Sequence, residues 1–117
     1  MKANEAKLLF AKLHEEKSIV LCSGRLFGLN LELQGKVSKV ESDQIQITAI
    51  DEQAGVVLSL AADGLVFDYR QARHYPSLAR GLPEDARDTM AIVIGFPNRG
   101  DIGFDERVIV AEVFPIK

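Results

Sequence analysis

The sequence predicts a mainly β protein, in which an N-terminal helix precedes a small, strongly bent antiparallel barrel with a C-terminal two-strand extension. Three observations predict this class: the first residues repeat at helical spacing, most of the remainder alternates between apolar and polar residues, and turn-forming residues separate the alternating runs. A length of 117 residues is typical of one domain. We expect one domain over residues 1–117, divided into a helix (1–16), barrel strands (18–69), a connecting segment (70–88) and C-terminal strands (89–117).

The predicted helix is amphipathic. Asn4 is suited to cap it, and Glu5 lies favourably in its first turn. Residues 19–22 are rich in β-branched side chains, which favours a strand. The alternative is the end of a longer helix that stops at Gly24. The apolar face of the helix consists of Ala6, Leu9, Phe10 and Leu13.

Period-two alternation predicts the barrel strands that follow. Gly35 permits a bend, and the apolar spacing from Val37 to Val40 slips by one residue, which is typical of a β-bulge. Turns are expected at residues 42–43 and 63–64. The alternating apolar positions are Phe27, Leu29, Leu31 and Leu33, then Ile45 and Ile47, then Val56, Leu58 and Leu60. With residues 65–69, the segment predicts five short strands in sequence, as in a small antiparallel barrel or sandwich.

Two apolar runs, residues 90–96 and 107–114, predict the C-terminal strands. They are too few to form a core of their own, so we expect them to extend the same sheet. Whether residues 90–114 complete the barrel or form an outer hairpin is left open by the sequence. Because both runs are apolar, they are also candidates for pairing across subunits.

Composition restricts the partners. The chain has 14 Lys and Arg against 17 Asp and Glu, a net charge of −3, which disfavours binding to nucleic acid. No apolar stretch approaches the ~20 residues that span a bilayer, so we expect no membrane partner. Cys22 is the only cysteine, and the first residues lack the order of a secretory signal. These features favour a cytoplasmic location.

Three segments carry a resemblance to a known family. Residues 31–40 form a strand pattern bent at Gly35, residues 43–47 form an aspartate turn and a strand, and residues 56–69 form two strands joined by a tight turn. In these features the stretch from 27 to 69 resembles the small SH3-like barrels, in particular the Sm-like proteins. The resemblance implies an N-terminal helix before five short bent strands, and ring assembly by strand pairing.

The RNA-binding motif of that family is largely missing. Sm-like proteins that bind RNA carry an aspartate and an asparagine in one loop, and an Arg-Gly or similar pair between the last two strands. Only Asp43 and Gly64 can be aligned with those positions. The resemblance therefore implies fold and assembly more than RNA binding, and function inferred from fold is an analogy.

One segment concentrates cationic and aromatic residues. Arginine side chains bind phosphates or carboxylates, and tyrosine rings stack on bases. The structural alternative is that the tyrosines pack on the barrel while the arginines pair with acids such as Asp68, Glu84 and Asp85. The candidate ligand-binding or nucleic-acid-binding residues are Tyr69, Arg70, Arg73, His74, Tyr75 and Arg80.

No residue pattern predicts catalysis, so no catalytic residue, metal ligand or cofactor is assigned. His14 is expected to have a surface or boundary role, and Cys22 in its apolar run to be an inert core thiol. The first functional hypothesis is an interaction or assembly module without catalytic activity, acting by self-association or with a protein partner. The alternatives are a single-stranded nucleic-acid binder acting through residues 69–80, and a small-ligand protein or enzyme with a pocket at the barrel mouth.

Overall fold

The structure, a computed structural model, describes residues 1–26, 29–61, 64–75, 82, 89–96 and 106–113. Within this part the chain is mainly β, with one α-helix, α1 (Ala3–Glu15), and one 3-10 turn (Ala72–His74). Residues 19–22 form a strand and not the end of a helix. The strands are β1 (Ile19–Leu26), β2 (Leu29–Val40), β3 (Gln44–Ala49), β4 (Gly55–Ser59), β5 (Val66–Gln71), β6 (Met90–Gly95) and β7 (Arg107–Glu112).

All seven strands belong to one antiparallel sheet, in the order β4-β3-β2-β1-β7-β6-β5. The two C-terminal strands therefore lie between β1 and β5, and they complete the sheet instead of forming an outer hairpin. The expectation that they pair across subunits is wrong, because both edges of β6 and β7 are already paired within the chain. The edge strands are β4 and β5.

The sheet curls into a half-barrel. Its two edge strands are consecutive in sequence, joined by residues 60–65. A flat sheet of this order would hold β4 and β5 about 29 Å apart, at ~4.8 Å per strand. The chain from Ser59 to Val66 reaches at most about 25 Å. The short connection therefore requires the sheet to curl and brings its two edges toward each other.

Strand β2 has two features that help the sheet bend, a glycine at a close approach and a register shift. A Cβ atom at Gly35 would overlap the carbonyl oxygen of Thr48, so glycine permits the close approach of β2 and β3. The register with β3 then shifts between Val37 and Lys39. This shift confirms the slipped spacing predicted there. The strand itself runs unbroken through Gly35, because the bulge bends a strand without ending it.

Helix α1 packs against the concave face of the sheet. Ala6 and Phe10 are fully buried there, which confirms the predicted apolar face. The helix is slightly shorter than predicted, and Lys2 instead of Asn4 precedes its first turn. The Lys2 amide donates a hydrogen bond to the Glu5 carboxylate at 3.2 Å. No helix in the described part of the chain is long and apolar enough to cross a membrane.

The convex face of β1, β7 and β6 is buried as well. Ala72, Tyr75 and Leu82 pack there against residues such as Val93 and Ile109. Burial on both faces explains why the C-terminal strands are continuous apolar runs without alternation. The predicted connecting segment thus begins inside β5, which extends to Gln71, and its described residues Ala72, Tyr75 and Leu82 pack on the convex face.

Candidate functional site

The predicted site residues do not form one cluster. Tyr69 lies on the concave side of β5, 42% exposed, where it lines a cavity of about 200 Å³ with residues of α1 such as Lys12. Arg73 is exposed on the 3-10 turn and does not line the convex-face groove described next. Arg80 lies outside the described residues. The two tyrosines of the predicted site are therefore on opposite faces of the sheet.

Three predicted residues, Arg70, His74 and Tyr75, do come together. They line a groove of about 640 Å³ on the convex face, called the convex-face groove below, together with Asp68 and Arg107. The Tyr75 ring is buried, and the guanidinium carbon of Arg107 lies 5.2 Å from its centroid. This cation–π contact occupies a face of the ring that stacking on a base would need.

Arg107 is a groove residue that the sequence did not single out. It is far from residues 69–75 in sequence and reaches them because β7 pairs with β6 and β6 pairs with β5. No local pattern indicates such a neighbour. Arg70, in contrast, pairs with the Asp68 carboxylate, as the structural alternative predicted. Both arginines of the groove therefore already contact groups of the same chain, Arg70 the Asp68 carboxylate and Arg107 the Tyr75 ring.

Asp68 also binds the backbone of the edge strand to which it belongs. Its Oδ1 accepts a hydrogen bond from the Tyr69 amide at 2.8 Å, and its Oδ2 accepts one from Arg70 Nε. The Tyr69 hydrogen bond is the main reason that the pKa of Asp68 lies below its usual value, and Arg70 lowers it further. The carboxylate is therefore ionised wherever the protein is near neutral pH.

The hydrogen-bond register decides which groups β5 presents at its open edge. The Ala72 amide donates to the Thr89 carbonyl at 2.8 Å, and hydrogen-bonded pairs alternate along an antiparallel ladder. The main-chain groups of Val66, Asp68 and Arg70 therefore point toward β6. Those of residues 67, 69 and 71 point outward, and the outward amide of Tyr69 is the one bound by Asp68.

The same reasoning applies to β4 at the other edge. The Ala49 amide donates to the Ala54 carbonyl at 2.9 Å, so the β3–β4 ladder bonds include Val56 and Leu58. Gly55, Val57 and Ser59 direct their amides and carbonyls away from β3. Among the described residues no side chain or main-chain group binds these outward groups. Strand β4 therefore presents an open edge.

Two further groups singled out in the sequence have structural roles. His14 Nδ1 donates a hydrogen bond to the Val37 carbonyl at 2.7 Å and so ties the end of α1 to β2. It borders a groove of about 620 Å³ whose wall includes the hydrogen-bonded hydroxyls of Ser38 and Thr48, 2.7 Å apart. The Cys22 thiol is buried in the concave core, and this burial raises its pKa to about 12.

The described residues contain no group of three or more His, Cys, Asp or Glu side chains that could hold a metal ion. Comparison with known proteins adds no relative: no protein-family model, curated protein or solved structure matches the chain.

Proposed function

We propose that this chain is an assembly module without catalytic activity, which associates with itself by adding strands at an open edge of its sheet. The observation that carries the proposal is strand β4. Its sequence, Gly55-Val56-Val57-Leu58-Ser59, has no charged residue, and no group in the described part of the chain binds its outward main-chain groups. Edge strands of monomeric proteins are commonly protected by charge, proline or a covering segment. Strand β4 carries neither charge nor proline.

The side chains of β4 also favour association. Val57 is 59% exposed on the convex side, although valine is among the residues most often buried. A strand added beside it would cover apolar surface and satisfy a row of donors and acceptors at once. In strand addition the partner binds the edge of the sheet through main-chain hydrogen bonds, so no pocket is needed.

The absence of a catalytic role is supported by what the reactive side chains do. Cys22 is buried with its pKa raised to about 12, so almost none of it is the thiolate that acts as a nucleophile. His14 uses Nδ1 to hold the helix against β2. Both side chains stabilise the fold, and the proposal assigns them no chemistry.

The test is the mass of the intact protein in solution. We expect native mass spectrometry and light scattering to give a species larger than the monomer, in a concentration-dependent equilibrium. A protein that stays monomeric up to its highest soluble concentration would refute the proposal. A mass of five to seven subunits would favour ring assembly, as the Sm-like resemblance implies.

The convex-face groove supports a second candidate function, binding of single-stranded nucleic acid. It brings the guanidinium groups of Arg70 and Arg107 and the ring of His74 into one groove, which the carboxylates of Asp68 and Glu106 also line. Binding through such groups weakens as salt rises. Titration of RNA or single-stranded DNA at low salt tests this candidate, and Arg107→Ala should weaken any complex. No binding at low salt would remove it.

A further inference from the structure

We infer that the assembly is a closed two-fold dimer, in which β4 of one chain pairs antiparallel with β4 of a second copy and β5 takes no part. The inference rests on the proposed function, for which it specifies the partner, a second copy of the chain, and the geometry of the contact. It follows from a difference between the two edges of the sheet. Strand β4 is uncharged and its outward groups are unbound by the residues that the structure describes, whereas on β5 the Asp68 side chain already binds an outward amide.

The central donor of the β5 edge is occupied by Asp68. The Tyr69 amide, the central outward donor of β5, donates to Asp68 Oδ1 at 2.8 Å. An incoming strand would have to break this bond and bring its carbonyl oxygens near the Asp68 carboxylate. Arg70 holds the carboxylate in this position, because its Nε donates a hydrogen bond to Asp68 Oδ2. A head-to-tail contact between β4 and β5, which rings or filaments require, is therefore disfavoured.

The β4 edge is complementary to itself. In an antiparallel pair centred on Val57, Val57 lies opposite its own copy, and Gly55 lies opposite Ser59. These are the residues whose amides and carbonyls point outward. Each opposed pair exchanges two hydrogen bonds, so the three pairs form six bonds across the axis. A register shifted by one residue would lose this match, because the groups of Val56 and Leu58 point toward β3.

The side chains fit the same register. On the convex side the two exposed Val57 side chains become neighbours, a β-branched pair that suits adjacent strands. On the concave side Val56 faces Leu58 of the second copy. Leu58 is buried and Val56 is half-buried, so the pairing places the apolar concave faces of the two sheets side by side. Within the paired strands no like charges meet, since Gly55–Ser59 contains no charged residue.

The test compares two exposed valines, one on each edge strand. Val57 is 59% exposed and Val66 is 66% exposed, so lysine is tolerated by the monomer at either position. We expect the wild type to be a dimer. Val57→Lys places two ammonium groups opposite each other and should raise the dimer dissociation constant roughly tenfold or more. Val66→Lys should leave it unchanged.

The outcomes separate the two proposals. A monomeric wild type refutes self-assembly altogether. A ring, or any defined species larger than a dimer, supports self-assembly and refutes the two-fold dimer. A dimer that Val57→Lys leaves intact, or that Val66→Lys disrupts, also refutes pairing through β4. Circular dichroism of both variants verifies that the fold is retained.

A crosslink tests the register directly. Val57→Cys should form an intermolecular disulfide on oxidation, because opposed residues have Cα atoms ~5.5 Å apart, within disulfide range. Ser59→Cys is the control in the same strand. Its own copy would lie four residue positions away, roughly 13 Å, and should not crosslink. Efficient crosslinking through Ser59→Cys, or none through Val57→Cys, would overturn the register. The buried Cys22 takes no part.

Discussion

Replacement of Gly35 by alanine tests the close approach of β2 and β3. The added Cβ would overlap the Thr48 carbonyl oxygen and would lie 2.7 Å from the Thr48 carbonyl carbon and 2.9 Å from the Ala49 Cα. All three obstacles are main-chain atoms, so no side chain can rotate away. The strands must separate locally, and Gly35 stands opposite Ala49 in the ladder. The change therefore disturbs the ladder as well as the packing.

The expected cost follows from these contacts. Overpacking that forces the backbone to shift costs about 1–3 kcal/mol, and each weakened ladder bond removes up to about 1 kcal/mol. The lower unfolded-state entropy of alanine offsets ~0.4–1 kcal/mol. We expect Gly35→Ala to lower the free energy of unfolding by about 2–3 kcal/mol.

Urea unfolding measures this loss, with the slope m expected to stay constant. Gly35→Ala and its control, Gly95→Ala, are best compared in the Val57→Lys background, because dimerisation would otherwise make the unfolding midpoint depend on protein concentration. Gly95→Ala is the matched control, since its Cβ would lie 3.6 Å from the Val66 carbonyl oxygen, an ordinary contact. We expect it to be neutral or slightly stabilising. Equal midpoints for the two variants would refute the close approach at Gly35.

Three further predictions concern the core, the thiol and the edge carboxylate. Phe10→Ala, at a fully buried position under the sheet, should cost about 3–5 kcal/mol in urea unfolding, whereas a cost below 1 kcal/mol would mean that α1 is not part of the core. Cys22 should react with a thiol reagent at mildly alkaline pH only after unfolding, and rapid labelling of the native protein would contradict its burial. Asp68 should titrate below its usual pKa in an NMR experiment: its hydrogen bonds stabilise the fold above the unfolded-state pKa, and this contribution is lost as pH falls through the folded-state value. Tyr69→Pro, which removes the amide donor, should raise the Asp68 pKa. An unchanged titration midpoint of Asp68 would mean that the Tyr69 hydrogen bond is not the main cause of the lowered pKa.

Local patterns were sufficient for much of the fold. The helical face around Phe10 and the bulge after Val37 depend on neighbouring residues, so the sequence indicates them directly. For residues 19–22 the sequence favoured a strand but left the end of a helix open, and the structure has a strand. The position of β6 and β7 in the middle of the sheet depends on pairing between distant segments. Alternation says which face of a strand is buried, but not which strand lies beside it.

The candidate site shows the same limit. The sequence grouped Tyr69 with Arg70 because they are adjacent, yet neighbouring residues of a strand face opposite sides of a sheet. The structure therefore separates Tyr69 from the convex-face groove and adds Arg107 to it. A site on a strand follows the period of two and the order of the strands. Only the first of these can be read from a single sequence.

The two edges also explain why the half-barrel stays open. The connection of residues 60–65 brings β4 and β5 toward each other, and pairing between them would close the barrel within one chain. The Asp68 carboxylate holds the outward amide of Tyr69, so the same contact that resists a foreign strand at β5 also resists closure by β4. Closure would leave no edge for a partner. An edge strand that is uncharged, unpaired and opposed by a protected one is therefore suited to pairing with its own copy.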